Sequence, residues 1–384
     1  FEERFEREVV PELRGLVCPL ETPESDKIGL IGHLALGATL NAASLGPQAG
    51  DFLFGSSAAL IPFLEHNDPN RAMMGAKYLK QALPLGQAEA PRIRSGWEEQ
   101  LFPKHQLLVR ADGPGRVTEL SQDRLLVEFD GMGAQPIELA RRQRRAAPGL
   151  QVGQPVAAGQ LLAHSWFCTP QGELALGLNV LTALMPWYGY NMEDALVVSQ
   201  SLAERLTSLH PDGPKRLQIG DKLASRHGGK GVVAAIVADA CMPQLGDGRA
   251  VELLLNPHSL PSRMNLGLLY EIQCEAPGDY PPFRQQRSFR PAERKTLHWQ
   301  HPATGQPRQA TVVVGWLYML KLHHRAEAKL SLPGPARRSS ITGLAPGGGG
   351  GGGGPGGGRM GGGGAQGHGG PGTVGGMMGE KSET

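Results

Sequence analysis

The 384-residue chain carries a formal net charge of +2, and 40% of its residues are hydrophobic. That length can bury two or three domain cores. So weak a basic balance excludes bulk charge as an argument for a nucleic-acid partner, which local clusters must carry instead. Four cysteines (Cys18, Cys168, Cys241, Cys274) occur without a CxxC pair, a spacing that suggests neither a disulfide framework nor a zinc site and reads as buried, reduced thiols of a cytosolic protein. No apolar run reaches the length of a membrane span, and no signal peptide opens the chain.

The chain begins at Phe1, inside what reads as a polar helix (FEERFEREVVPEL), as a fragment or processed piece would. Residues 1–95 mix loops and helices. Asn67-Asp68-Pro69 has the form of a helix start, with Asp68 as cap and Pro69 in the first turn. It predicts a helix from Asn70 to about Leu83. On that helix Lys77 and Gln81 share a face, with Asn70 and Met74 roughly in line. Such a face can follow a phosphate backbone or simply meet solvent.

Residues 96–175 read as short strands between turns, including Leu107 to Arg110 and Arg124 to Phe129. Further strands are expected at Arg216 to Ile219, Gly231 to Ile236, Val251 to Leu255 and Thr311 to Val314. Nothing in this order indicates a doubly wound sheet. From Pro346 to Met378 the chain is mostly glycine, which cannot bury enough apolar area to offset its chain entropy. The expected organisation is therefore residues 1–95, residues 96–345 and a disordered tail, 346–384.

The densest chemistry lies in GDKLASRHGGKGVV, Gly220 to Val233. Lys222, Arg226, His227 and Lys230 alternate there with glycines that let backbone approach a ligand. A hairpin could aim Lys222 and Lys230 at one anion, or could be a solvated basic turn. It is not a P-loop, because Ala224 and Gly231 stand where that pattern needs Gly and Ser or Thr. In NPHSLPSRMN, Arg263 falls on a loop after a strand; beside a basic hairpin it suits a triphosphate, and alone it is a surface charge. Glu193-Asp194 in MPWYGYNMEDALVVS could hold a hydrated Mg²⁺ loosely, although adjacent side chains on a strand point apart. Helix capping or solvation explains the pair as well. His323-His324 lacks a third ligand at metal-site spacing.

Six blocks together resemble one family, the bacterial β subunit of RNA polymerase, and they occur in that family's order over residues 15–330. They are GLVCPLETPESDKIGLI, IPFLEHNDPNRAMMGAKYLKQALPL, LNVLTALMPWYGYNMEDALVVS, QIGDKLASRHGGKGVV, LNPHSLPSRMNLG and TVVVGWLYMLKLHHRAEAK. The resemblance implies a mixed, β-rich α+β fold with a double-psi β-barrel and barrel-sandwich elements, Pro148 to Ala163 being similar to part of the latter. It implies that residues 1–95 form a fork-like region with an RNA-facing helix, and that 96–345 form the hybrid-binding, active-centre region.

By the same resemblance Lys222 and Lys230 contact initiating-nucleotide or RNA phosphates, Arg263 contacts the incoming triphosphate and His324 lies near the start-site nucleotides. Arg71 and Gln81 would lie along the RNA, with Lys77, Arg226 and Lys329 as further nucleic-acid-binding candidates. Glu193 and Asp194 would sit near the second metal. The implied Mg²⁺ is bound mainly by a β′-type partner bearing an aspartate triad, which this chain lacks. The implied partners are β′-type, α and sigma subunits, DNA template, nascent RNA and NTPs, without a membrane and at the cytoplasmic nucleoid. Departures are Lys77 in place of Asn, Asp26-Lys27 in place of Pro-Asn, and segments missing between Asn41 and Leu60 and between His210 and Leu217. These shortenings leave a second expectation, a non-catalytic paralogue that binds nucleic acid or polymerase as a regulator.

Overall fold

In a computed structural model of the chain, the described residues are 13–23, 26–41, 46–48, 52–98, 107–139, 143–210, 212–274, 276–281 and 293–324. Two compact units divide the chain, Phe1–Leu330 and Ser331–Thr384. The second lies wholly outside the described residues, as do the glycine tract and Lys329.

The first segment holds the antiparallel pair β1 (Thr39–Asn41) and β2 (Gly46–Gln48), then α1 (Ser56–Ala59) and α2 (Pro69–Lys80). The Asp68 carboxylate accepts the Asn70 N–H at 3.0 Å, and Pro69 opens α2, as its spacing predicts. The helix stops at Lys80, short of Leu83, because the chain turns to join a strand: the Leu83 N–H donates to the Lys321 carbonyl at 2.8 Å. Buried Glu21, from the ETPE stretch, accepts the Ser57 and Ala58 N–H groups at 2.9 and 3.0 Å and pairs with Lys80. One carboxylate thus caps α1 and fastens it to α2.

After β3 (Ile93–Arg94) come β4 (Leu108–Arg110), β5 (Gly115–Leu120), β6 (Arg124–Phe129), β7 (Gly133–Glu138), β8 (Arg144–Ala146), β9 (Pro155–Val156) and β10 (Leu161–Ser165). They form two sheets, ordered β7-β6-β5-β9 and β4-β10-β8, around a core that includes Val117, Leu125, Phe129, Val156 and Leu162. The stretch Pro148 to Ala163 supplies one strand to each sheet, the form the barrel-sandwich expectation takes here. Arg145 is not a solvated surface charge. Its guanidinium is half-buried and donates to the Leu85 and Gly86 carbonyls at 3.0 and 3.1 Å.

The third segment contains β11 (Leu178–Leu184), β12 (Ala195–Ser199), α3 (Gln200–Arg205), β13 (Lys222–Ser225), β14 (Lys230–Val237), β15 (Gln244–Leu245), β16 (Leu253–Leu255), α4 (Leu266–Gln273), β17 (Gly278–Asp279), β18 (Arg294–Gln300) and β19 (Pro307–Lys321). Among the described residues, six strands close into a barrel in the order β11-β16-β12-β14-β13-β19, with β19 returning to β11. β16 lies between the consecutive strands β11 and β12, and β14 lies between β12 and β13. These two crossings are the psi loops that the expected double-psi barrel requires. β18 and β15 extend the sheet beyond β19.

Alternation sorts the barrel side chains. Val180, Leu196, Leu223, Val233, Leu253 and Met319 help fill one core. Ala224, Tyr318 and Leu320 point the other way, under α1 and α2, while Leu181, Val197 and Leu254 pack beside β15 and β18. Both faces of β11 are covered, which is why LNVLTAL is buried throughout. The expected strand Arg216 to Ile219 does not form. The chain instead turns at Gln218–Asp221, where the Asp221 N–H donates to the Gln218 carbonyl at 3.1 Å, and β13 starts only at Lys222. Cys18 and Cys168 are buried thiols, burial pushing Cys168 up to about 11. Cys241 departs from that expectation, exposed on a short turn with no buried residue.

Candidate functional site

β13 and β14 form an antiparallel hairpin with Lys222 opposite Val232 and Ala224 opposite Lys230. Paired residues share a face, so Lys222 and Lys230 both project outward, as diagonal neighbours roughly 7–8 Å apart. Leu223 and Val233 point into the barrel core. Past the end of β19 the ladder continues: the Lys222 N–H donates to the His324 carbonyl at 3.2 Å, and the Leu322 N–H to the Lys222 carbonyl at 3.0 Å. His324 therefore lies beside Lys222, its ring stacked on His323 with centroids 4.2 Å apart.

The hairpin tip behaves differently, and it corrects one expectation. Arg226 is 2% exposed, donating to Glu271 Oε1 at 2.9 Å and the Ile93 carbonyl at 2.7 Å, with its guanidinium 4.9 Å from the Tyr318 ring centroid. A guanidinium so enclosed does not present itself to a nucleic acid. His227 is fully buried, with Nε2 2.6 Å from Glu271 Oε2 and Nδ1 3.2 Å from Asn67 Nδ2. Burial pushes its imidazole below the ordinary value and outweighs the pull of Glu271. A neutral ring fits both contacts, donating from Nε2 and accepting at Nδ1. Burial pushes Glu271 up, but Arg226, His227 and the Tyr318 N–H together hold its carboxyl below the usual range.

Backbone packing locks this tip against α2. A β-carbon at Gly75 would lie 2.0 Å from the Arg226 carbonyl, and one at Gly228, where φ is +75°, 2.1 Å from the Arg71 carbonyl. Only glycine allows so close a contact. The RNA-facing candidates on α2 are accordingly brought beside the hairpin. Lys77 is exposed, Gln81 is a half-buried C-cap, and the half-buried Arg71 donates to Met74 Sδ at 3.2 Å. The opposite face of α2, including Ala72, Ala76 and Leu79, is core.

At the mouth of the barrel, where β12 and β14 begin and β13 and β16 end, lies a cleft bordered by Glu193, Asp194, Lys230 and Arg263 and floored by Leu196 and Met319. Arg263 is ion-paired with Asp194. The loop that carries Arg263 is pinned to the start of α2, since the Asp68 N–H donates to the Met264 carbonyl at 3.0 Å. Glu193 and Met264, flanking this pair, hold left-handed backbone at φ +51° and +48°, a strain typical of functional sites. The Val232 N–H donates to the Asp194 carbonyl at 2.9 Å, so the acidic loop is anchored to the strand that begins with Lys230.

As a metal site this arrangement is open. Among the described residues no group of three or more His, Cys, Asp or Glu side chains is arranged to hold an ion. Glu193 and Asp194 offer two neighbouring carboxylates, that of Asp194 engaged by Arg263, which is oxygen chemistry suited to contact a hydrated divalent cation but too few ligands to enclose one. Five residues that hold the site together were not foreseen: Asn67, Tyr78, Glu271, Tyr318 and Glu21. A signal existed for Glu271, one acid inside the apolar run LGLLYEIQ, which a buried cation would explain.

The sequence matches the family model described as RNA polymerase Rpb2, domain 6, over residues 57–211 and 208–348. Residues 3–40 match RNA polymerase Rpb2, domain 3. The gaps agree with the shortened segments: one match ends at residue 40, and the two others meet at 208–211. The chain is 26% identical to the DNA-directed RNA polymerase subunit beta of Ipomoea purpurea, over 72% of this chain and 41% of that protein. Identity to the subunit beta of Thermosynechococcus vestitus is 24%, over 88% and 51%. For Syntrophomonas wolfei it is 25%, over 96% of this chain and 53% of that protein, in an alignment 583 positions long. The chain thus spans about half the length of the relatives it matches. No helix among the described residues is long and apolar enough to cross a membrane. With the family model matching well over half of its 384 residues, and a closed six-stranded barrel beneath the match, the chain belongs to the β-type, Rpb2-like family of RNA polymerase subunits.

Proposed function

We propose that this chain contributes the cationic surface that holds the RNA end and the incoming NTP during nucleotidyl transfer in a DNA-dependent RNA polymerase. One observation carries the reading: Lys222 and Lys230 share the outward face of one hairpin, and Lys230 also borders the cleft of Arg263. Two ammonium groups and a guanidinium would attract the phosphates of an RNA terminus and a triphosphate and offset charge that builds up as the 3′-hydroxyl attacks the α-phosphate and pyrophosphate leaves. His324, beside Lys222, would border the start-site nucleotide. Arg71, Lys77 and Gln81 would follow the RNA strand as phosphate contacts, which position without reading sequence. Mg²⁺, held mainly by a β′-type partner, would supply the Lewis-acid chemistry, with Glu193 and Asp194 in its outer hydration sphere. Complete activity would need that partner, with α and sigma subunits completing the assembly on DNA.

The test is a Lys222→Ala, Lys230→Ala double variant in the assembled enzyme. RNA synthesis should fall roughly hundredfold or more, from the loss of two charge-assisted contacts, while assembly is retained. Unchanged synthesis would sink the proposal. The alternative of a non-catalytic regulator draws on the long stretches that relatives have and this chain lacks, an alignment of 583 positions against a 384-residue chain. Purification of the tagged chain from its source cells separates the two. A β′-type chain recovered near one to one supports the enzyme, whereas recovery with nucleic acid alone supports the regulator.

A further inference from the structure

Lys230 leaves the barrel on its outward face, and its ammonium nitrogen lies 5.5 Å from the centroid of the Tyr78 ring. The two partners differ in freedom. Tyr78 is 4% exposed and belongs to the core beneath α1 and α2, together with Ala224 and Leu320. Lys230 is exposed. The helix that carries the ring cannot drift, because Gly75 and Gly228 press α2 and the hairpin tip into backbone contact. A lysine stem has four flexible carbons and would otherwise sample many directions. The negative face of an aromatic ring attracts a cation and narrows that range.

We propose that Tyr78 is a positioning residue for Lys230, holding its ammonium at the edge of the cleft that Asp194 and Arg263 border. The idea rests on the reading of Lys230 as a phosphate contact. The ring acts through the lysine and touches no substrate. Its role is to set the cation in place before the RNA end or initiating nucleotide arrives, so that less side-chain freedom is lost on binding.

The test compares Tyr78→Phe, Tyr78→Leu, Lys230→Ala and the Tyr78→Leu, Lys230→Ala pair in the assembled polymerase, with KM and kcat measured for the initiating nucleotide. Tyr78→Phe keeps the ring face and should behave as the parent. Tyr78→Leu should raise KM roughly threefold to tenfold, as loss of one cation–π contact would, with kcat little changed. The double variant should be no worse than Lys230→Ala alone. If Tyr78→Leu does not assemble, Tyr78→Met fills the same space without a ring face and should give the same KM shift. The proposal is overturned if the tyrosine effect persists in full on the Lys230→Ala background, if Phe fails to rescue, or if neither Leu nor Met changes KM. Parent-like behaviour of Lys230→Ala by itself would overturn the phosphate reading beneath it, which tells the two failures apart.

Discussion

Lys222 and Lys230, on the strands of the β13–β14 hairpin, project outward, whereas Arg226 and His227 at its tip are enclosed by Asn67, Glu271 and Tyr318. One short motif therefore uses its basic groups in two ways. A buried guanidinium is costly without a counter-charge; Glu271 provides that charge, and the Ile93 carbonyl accepts a further hydrogen bond. Lys230 is exposed and Lys222 half-buried, in contrast to the enclosed tip. The enclosed half sets the geometry: the buried network fastens the turn to α4 and to Asn67 just ahead of α2, and the open half inherits its direction.

The largest expected effect falls on the enclosed half. Glu271→Ala strands Arg226 without its counter-charge and removes the acceptor of the Tyr318 N–H. It should cost about 3–5 kcal/mol in chemical unfolding, and a loss under about 1 kcal/mol would break the contrast. Next comes Gly228→Ala, which forces a side chain into left-handed backbone and against the Arg71 carbonyl. It should cost at least about 1–3 kcal/mol and, under the proposed function, lower RNA synthesis by the assembled enzyme as the hairpin shifts.

Acid should act on the same half in two stages. His227 is held below its ordinary 6.5 by burial, so as pH falls below 6.5 the unfolded chain takes a proton that the folded chain refuses, and stability declines. Glu271 is held below its ordinary 4.5, so its contribution is complete above 4.5 and is lost as pH falls through its folded value. Unfolding curves across this range should show both stages, and His227→Gln should flatten the upper one. The smallest effect belongs to the open half. Lys222→Ala and Lys230→Ala should each change stability by less than about 1 kcal/mol. A larger loss would mean that these lysines are part of the scaffold rather than of the site.

Much of the architecture was legible. Asp68-Pro69 announced α2, and runs of strand-forming residues beside turn signals announced β6 and β14, because these signals act between neighbours in sequence. The end of α2 was not legible, since Lys321, far along the chain, claims the Leu83 amide. Arg216 to Ile219 has strand composition, yet the Asp221 turn prevails over it. At the site, Glu193-Asp194 and Arg263 were each singled out, but their pairing depends on loops that the barrel brings to one mouth.

By itself the sequence determined the family, through six ordered blocks, and the residue types on which the proposed chemistry depends: two lysines on a glycine-rich hairpin, a loop arginine and an acidic pair. Only the tertiary structure decided which of these face solvent. It enclosed Arg226 behind Glu271, joined Asp194 to Arg263 and set Lys230 over Tyr78. The reason is physical: local order depends on neighbours along the chain, whereas burial and charge pairing depend on which distant segments the closed barrel brings into contact.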